Sequence, residues 1–135
     1  MSRLDEITQV MSGFNREMGF RLVDWSAECA RTEVAIQPQH LNSQGIVHGG
    51  LYCAFLDFNC GIAGNYHDED EPAKSCITLS LTTNFVSSAR GGKLLGIGRK
   101  IGGGRNIFYA EAEIRDEAGT LLATAMGTFK YSHQR

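Results

Sequence analysis

The feature of this sequence that most limits its possible folds is one segment, Gly49 to Gly64, in which nearly every residue is apolar or small. Asp57 is the only charged residue in the segment. A helix that is apolar all round has to be covered by other elements, so we predict a buried helix at the centre of the fold. A lone carboxylate in such surroundings is costly unless it is paired, hydrogen-bonded or neutralised. Asp57 is therefore the first candidate for a functional residue.

The sequence on either side of this helix has the patterns of strands. The clearest is Ile77 to Phe85, where apolar and polar residues alternate with a period of two. The other strand candidates are Phe20 to Ala27, Arg31 to Gln37, Lys93 to Lys100, Asn106 to Arg115 and Leu121 to Tyr131. Turn residues separate the later candidates, and short connections favour antiparallel neighbours. We predict an α+β fold in which one curved antiparallel sheet wraps around the long central helix.

The N-terminal residues follow a different period. Apolar side chains recur there at steps of three and four residues, namely Leu4, Ile7, Val10, Met11 and Phe14. This spacing predicts one amphipathic helix over residues 1–18 that covers an edge of the fold. Since a chain of 135 residues fits one domain, we predict a single domain over residues 1–135.

Composition and charge argue against several classes of protein. The net charge of -2 leaves no basic excess, so we expect no nucleic-acid partner. No apolar run is long enough for a membrane span and the N-terminus has no signal-peptide core, so we expect a soluble, cytoplasmic protein that does not bind membranes. The four cysteines contain no C-x-x-C pair and the four histidines no zinc spacing, so we expect reduced thiols and no metal.

The polar, glycine-rich segment before the central helix is the second candidate for function. A helix that begins near Gly49 presents unpaired N–H groups and the positive end of its dipole, which suit an oxyanion. Asp57 could act as a base towards water or attack a carbonyl itself. At a rise of about 1.5 Å per residue the two lie about 12 Å apart, too far to touch one carbonyl. Two antiparallel copies of the helix, related by a two-fold axis, would bring Gly49 of one chain to Asp57 of the other, so we predict a homodimer.

The asparagine at position 42 is followed after five residues by His48-Gly49-Gly50, and an acid stands nine residues after the histidine. This pattern resembles the hotdog-fold thioesterases of the phenylacetate-pathway and 4-hydroxybenzoyl-CoA type. The resemblance covers most of the chain, from about Phe20 to Tyr131. It implies hydrolysis of an acyl-CoA thioester at a dimer interface, commonly in a dimer of dimers. It implies no cofactor beyond the coenzyme A that is part of the substrate.

The resemblance also implies roles for individual residues. The amide of Gly49 polarises the thioester carbonyl, Asn42 positions the carbonyl or water, and Asp57 of the partner subunit is base or nucleophile. A hydroxyl on the following strand assists, which we assign to Thr78 with Ser80 as the alternative.

His48 either orients the loop through its ring nitrogens or transfers a proton, and we favour the orienting role. Relatives contact coenzyme A through the strand turn that contains Arg105, so the resemblance implies that Arg105 meets a phosphate of coenzyme A, for which a guanidinium is well suited. The residues expected to bind substrate or coenzyme A are Gly50, Ser80, Phe85, Gly104, Arg105 and Asn106.

Each of these residues also has a purely structural interpretation. The sequence also allows Asp57 as a structural buried acid capped by amides, Asn42 as a turn or capping residue, and Thr78 as an ordinary strand residue. Two other functions stay open: a non-catalytic acyl-CoA binding module and a hotdog-fold hydratase. Small aromatic and medium-chain acyl groups both suit an apolar pocket between subunits.

Overall fold

The computed structural model describes residues 2–9, 11–27 and 29–132. The helices are α1 (Arg3–Gln9), α2 (Gly13–Met18) and α3 (Gly49–Gly64), with a short 3-10 turn at Pro38–His40. The strands are β1 (Arg21–Trp25), β2 (Ala30–Ala35), β3 (Ser75–Phe85), β4 (Lys93–Gly103), β5 (Ile107–Asp116) and β6 (Leu121–Ser132).

The six strands form one antiparallel sheet in the order β1-β2-β4-β5-β6-β3, and α3 packs against one of its faces. The core lies between helix and sheet, where Phe55 and Leu56 of α3 meet Phe108 and Phe129 of the sheet, all fully buried. The predicted α+β fold, with one antiparallel sheet around a long central helix, is confirmed. Both ends of that helix lie at the predicted residues.

Close contact between α3 and β4 depends on two glycines of the strand. A Cβ at Gly98 would lie 2.1 Å from the carbonyl oxygen of Asn59, and one at Gly96 would lie 2.5 Å from the Asn59 side chain. Asn59 is fully buried, and its Oδ1 accepts a hydrogen bond of 2.6 Å from Thr32 Oγ1. These contacts fix the rotation and position of α3 on the sheet, and with them the position of Asp57 two residues earlier.

One stripe of α3 is not covered within the chain. Gly50 is exposed, while Cys53, Ala54 and Asp57 are only half-buried, and these residues follow one another at helical spacing. The apolar composition predicted a helix that the fold covers on all sides, and this stripe departs from that prediction. The reason is that the sheet covers one side of α3 and no other element of the described chain lies over the stripe.

The N-terminal segment forms two helices, which corrects the prediction of one helix over residues 1–18. Ser12 ends the helical run and caps α2, because its Oγ accepts a hydrogen bond of 3.3 Å from the Asn15 N–H. Gly19 ends α2 in the left-handed conformation with φ 81°. Val10, which the prediction included, lies outside the described residues.

The hairpin between β4 and β5 is longer than predicted. The predicted strand ended at Lys100, but Gly102 and Gly103 pair with Tyr109 and Phe108 as the end of β4. Gly103 has φ 135° and a Cβ there would lie 2.5 Å from the Ile107 carbonyl oxygen, so glycine is required at this position. The turn that remains is residues 104–106.

Strand β3 contains a β-bulge and forms one edge of the sheet. Thr78 pairs with Phe129, but Ser80 pairs with the adjacent Thr128, so Leu79 is an extra residue. Because of the bulge Thr78 and Phe85 both point towards α3, whereas Ser80 points to the other face. In the described part of the chain no strand pairs with the outer edge of β3.

Candidate active site

The loop before α3 is held in shape by its own side chains. Asn42 Oδ1 accepts hydrogen bonds from the N–H groups of Gln44, at 2.9 Å, and Ile46, at 3.3 Å. An asparagine whose side chain bonds the backbone two residues further on forms an Asx-turn. The side-chain oxygen of Asn42 is therefore used within the loop, and only its amide N–H groups are left for a ligand.

His48 caps α3. Its Nδ1 accepts a hydrogen bond of 2.7 Å from the Gly50 N–H, so the proton of the neutral ring lies on Nε2. Among the residues that the structure describes, no group accepts a hydrogen bond from the N–H of Gly49. The Gly50 amide is thus occupied, while the Gly49 amide is an open donor at the positive end of the helix dipole.

The N-terminal end of α3, where this open amide lies, borders a cleft of about 320 Å³. Asn42 and Gly49 line this cleft from the loop side, and Phe85 lines it from the end of β3. A Cβ at Gly49 would lie 3.6 Å from the Phe85 ring, an ordinary contact distance. The cleft therefore brings three of the predicted residues together around one hydrogen-bond donor.

Asp57 lies in a second, separate cavity of about 460 Å³. Its Oδ1 accepts a hydrogen bond of 2.6 Å from Thr78 Oγ1, which is short and typical of a bond to a carboxylate. Phe58, Phe129 and Met11 provide apolar walls to the same cavity. The structure thus pairs Asp57 with Thr78, whereas the alternative hydroxyl, Ser80, lies on the opposite face of the sheet.

The thiols near Asp57 are poor nucleophiles. Burial, followed by the nearby Asp57 carboxylate, raises the pKa of Cys60 to about 12. Burial is also the main reason why the pKa of Cys76 is raised to about 11. Both thiols stay protonated at neutral pH, and a thiol attacks carbonyls much less readily than a thiolate. Two side chains that line this cavity, the Asp57 carboxylate and the His67 ring, can take up a proton from water, and Asp57 is the one bonded to Thr78.

The Gly49 amide lies at the start of α3 and Asp57 lies near the middle of the same helix. Gly49 and Asp57 are separated by about 12 Å along the axis of α3, and each lines a different cavity. One chain therefore does not bring the two groups to a single carbonyl carbon.

Arg105 and Gly104 lie in a third groove, of about 450 Å³, at the turn between β4 and β5. Two further cations, Lys74 and Lys100, line the same groove. Lys100 Nζ donates a hydrogen bond of 3.2 Å to the hydroxyl of Tyr131. Asn106 is the last residue of the turn, and its carbonyl accepts a hydrogen bond of 2.8 Å from the Tyr131 N–H. Neither Ser80 nor Phe85 lines this groove.

Sequence reasoning did not identify Lys74, Lys100 or His40. The two lysines are far apart in the chain and only the pairing of β4, β5, β6 and β3 brings them together. His40 is buried, its Nδ1 accepts a hydrogen bond of 2.9 Å from the Gln37 N–H, and its carbonyl accepts one of 2.8 Å from the His48 N–H. His40 therefore stabilises the loop before α3 through its bond to the His48 N–H, and no motif in the sequence predicts that role.

Within the described ranges no helix has the length and apolar character needed to cross a membrane. The same residues contain no group of three or more His, Cys, Asp or Glu side chains placed to hold a metal ion.

Comparison with known proteins gives consistent results. The family described as "Thioesterase superfamily" matches residues 44–123, more than half of the chain. Rv1847 of Mycobacterium tuberculosis, whose name describes it provisionally as an esterase, is 27% identical over 114 residues, covering 82% of this chain and 79% of that protein. PA0474 of Pseudomonas aeruginosa is 30% identical over 95 residues, covering 70% of this chain and 69% of that protein. Its name also describes it provisionally as an esterase.

Two solved structures are similar over nearly the whole chain. The thioesterase HI1161 from Haemophilus influenzae has a TM-score of 0.86 at 21% identity, covering 98% of this chain and 92% of that one. The PaaI protein from the phenylacetic acid degradation operon of E. coli has a TM-score of 0.84 at 15% identity. The match covers 97% of this chain and 92% of that one. At these identities the likeness concerns the fold.

Proposed function

The chain belongs to the thioesterase superfamily, and from this premise we propose that it is an acyl-CoA thioesterase whose active sites lie between two copies of the chain. The observation that carries the proposal is that Asp57, hydrogen-bonded to Thr78 of β3, lies on the same helix as the open amide of Gly49. These are the two components that thioester hydrolysis needs, a proton acceptor and an oxyanion donor.

The chemistry follows from these two groups. The thioester carbonyl oxygen accepts a hydrogen bond from Gly49 N–H, which makes the carbonyl carbon more electrophilic. Water attacks that carbon and Asp57 of the partner subunit takes the proton, giving a tetrahedral intermediate. The intermediate collapses, the C–S bond breaks, and the departing thiolate of coenzyme A takes the proton back from Asp57. In the alternative route the Asp57 carboxylate attacks the carbonyl carbon, the C–S bond breaks, and coenzyme A leaves as a thiolate that takes a proton from solvent. Water then hydrolyses the resulting mixed anhydride, which releases the free acid and restores Asp57.

A homodimer is part of this proposal because neither chain holds a complete site. The uncovered stripe of α3 supports it, since a helix from a second copy can lie along Gly50, Cys53, Ala54 and Asp57. The free edge of β3 supports it as well, because an unpaired strand edge readily pairs with another chain. Further pairing of dimers into a tetramer follows from the family resemblance alone and remains a proposal of the same kind.

The acyl group is proposed to occupy the cavity beside Asp57. Its volume of about 460 Å³ lies within the usual range for small-ligand pockets, and its walls are largely apolar. Small aromatic and medium-chain acyl groups both suit such a space. Residues of α1 and the segment after it, Ile7 and Met11, form part of the wall, so the N-terminal helices take part in the selection of the acyl group.

Release of free thiol from a panel of acyl-CoA thioesters tests the proposed function. The panel contains benzoyl, phenylacetyl and hydroxybenzoyl thioesters together with straight-chain thioesters of increasing length. We expect turnover that is concentrated in one of these classes and that saturates with substrate. If coenzyme A thioesters bind but none is hydrolysed, the thioesterase proposal is wrong and the binding module becomes the better one.

The groove lined by Arg105, Lys74 and Lys100 gives a prediction about the binding of coenzyme A. The Arg105→Ala variant is expected to raise KM for an acyl-CoA about tenfold with little change in kcat, because a charge-assisted bond to phosphate contributes about 1.5–3 kcal/mol. The matched control is the N-acetylcysteamine thioester of the same acid, which lacks the nucleotide phosphates. An equal rise in KM for both substrates would place Arg105 away from the phosphates.

A further inference from the structure

We propose that His67 is a specificity-determining residue of the cavity beside Asp57, and that it selects acyl groups whose far end carries a hydrogen-bond donor such as a hydroxyl. The proposal rests on the proposed function, which places the acyl group in this cavity. It adds the chemical character of the far end of that group, which the apolar walls of the cavity leave undetermined.

The cavity beside Asp57 follows one face of α3. The residues of the helix and its C-cap that line it recur at steps of one and three positions, namely Asp57, Phe58, Gly61, Ile62 and Asn65. Asp57 and Asn65 are separated by about 12 Å along the helix axis. The cavity therefore has one end at the Asp57 carboxylate and a second end at the C-terminal end of α3.

His67 lines the cavity at this second end. Its Nδ1 lies 3.1 Å from the carbonyl oxygen of Asn65. Because a carbonyl oxygen can only accept a hydrogen bond, Nδ1 carries the proton and donates it. In the neutral ring the lone pair then lies on Nε2, so that Nε2 is a hydrogen-bond acceptor.

The Nε2 atom of His67 is available to a ligand. Within the described ranges no protein group forms a hydrogen bond with it. The buried side-chain polar atoms that lack a partner in the same ranges belong to Thr8, His40 and Asn65, and Nε2 of His67 is not among them. The atom is therefore accessible as well as unpaired.

Several contacts hold the imidazole ring in place. The rings of Trp25 and His67 meet edge to face, with centroids 5.2 Å apart and planes at 88°. Trp25 is itself fixed, because its Nε1 donates a hydrogen bond of 2.8 Å to the Ile62 carbonyl. Arg3 donates a hydrogen bond to the backbone carbonyl of His67. A polar group that is held before the ligand arrives loses little freedom on binding, which favours selection.

An acceptor at the end of an apolar cavity distinguishes acyl groups by their donors. An acyl group that is apolar throughout would displace water from Nε2 and leave the acceptor unpaired, which costs free energy. A hydroxyl at the far end replaces the lost bond. The neutral ring offers no donor at Nε2, so an acyl group that ends in a carboxylate gains nothing from it. The same reasoning holds for a ring and for a straight chain, so the site selects the donor.

Matched pairs of acyl-CoA thioesters test the proposal. The members of each pair differ by one hydroxyl at the far end, as in hexanoyl and ω-hydroxyhexanoyl or phenylacetyl and para-hydroxyphenylacetyl. We expect the wild type to prefer the hydroxylated member of the better-fitting pair by about tenfold in kcat/KM, the size of one hydrogen bond. A methoxy analogue fills the space without a donor and should not be preferred. Equal kcat/KM values within both pairs overturn the proposal.

Variants of His67 connect the preference to the ring. His67→Phe removes the acceptor and keeps an aromatic ring against Trp25, so we expect the ratio of the two kcat/KM values to fall to about one. His67→Gln keeps an acceptor near the position of Nε2 and should recover part of the ratio. A general loss of activity changes both members of a pair equally, so the ratio reports selectivity alone.

Two further results decide what the ring contributes. Tyr66→Phe alters the neighbouring aromatic residue, which does not line the cavity, and this matched control should keep the wild-type ratio. A His67→Phe protein that keeps the ratio removes His67 as the determinant. A preference of the wild type for adipoyl over hexanoyl that is lost in His67→Phe would mean that the ring acts as a cation, and the assignment of a donor would be wrong.

Binding of thioether analogues separates this proposal from the proposed function. In these analogues a methylene group replaces the thioester carbonyl, so that titration calorimetry measures the preference without turnover. A preference in binding that is lost in His67→Phe, together with no hydrolysis by the wild type, would retain the role of His67 and remove the proposed activity. Hydrolysis without any difference within the pairs would retain the activity and remove the role of His67.

Discussion

Replacement of Asp57 by asparagine is expected to lower kcat for thioester hydrolysis by about 10³-fold, because the amide can neither accept the proton of water nor attack the carbonyl. Asparagine has nearly the same shape as aspartate, and its side-chain oxygen can still accept the bond from Thr78 Oγ1. We therefore expect little change in folding or in KM. The rate constants are measured by thiol release with the best acyl-CoA of the panel.

The controls for this variant separate the carboxylate from its hydrogen bond. Thr78→Val removes the bond and keeps the acid, so a loss of about tenfold is expected, and Thr78→Ser should recover most of the rate. Thermal unfolding and sedimentation of the Asp57→Asn protein must match the wild type. If the folded variant keeps a tenth or more of the wild-type kcat, Asp57 is neither base nor nucleophile.

Replacement of Gly49 by proline is expected to lower kcat by about 10²–10³-fold, the usual effect of losing one oxyanion donor. Proline lacks the N–H but is well suited to the first position of a helix. The preceding residue, His48, has φ -62° and ψ 135°, a conformation that is favourable before proline. The substitution can therefore remove the donor while α3 keeps its start.

Gly49→Ala is the matched control because it keeps the N–H. Its Cβ would lie 3.6 Å from the Phe85 ring, so the change is sterically tolerable. We expect the alanine variant to retain far more activity than the proline variant, with circular dichroism showing equal helix content in both. Equal losses in the two variants would mean that bulk at position 49, and not the amide, limits the rate.

Much of the fold could be predicted because the relevant signals are local. The change from the polar loop to the apolar segment marks the start of α3, and Gly64 marks its end. The alternation from Ile77 to Phe85 identified β3 although the strand contains a bulge. The break between α1 and α2 was missed because the apolar spacing continues through Ser12, and the capping bond of that residue decides the outcome.

The site could be predicted in part, for the same physical reason. Loop and helix residues that are close in sequence, such as Asn42 and Gly49, were expected together and line one cleft. The choice between Thr78 and Ser80 depended on the register of β3, which alternation alone does not determine. Lys74, Lys100 and Arg105 line one groove only because of the order of the strands in the sheet. Lys74 is distant from the other two in the sequence, so the cluster could not be predicted from the sequence.

The bulge at Leu79 limits which insertions and deletions the coding sequence of β3 can accept. Thr78 and Phe85 are seven positions apart, an odd number, so a regular strand would point them to opposite faces. The extra residue corrects this, and both ends of β3 reach α3. Substitutions along the strand leave that arrangement in place, whereas loss or gain of a single codon between positions 78 and 85 turns one end of the strand over. Length variation in this segment is therefore expected in steps of two codons.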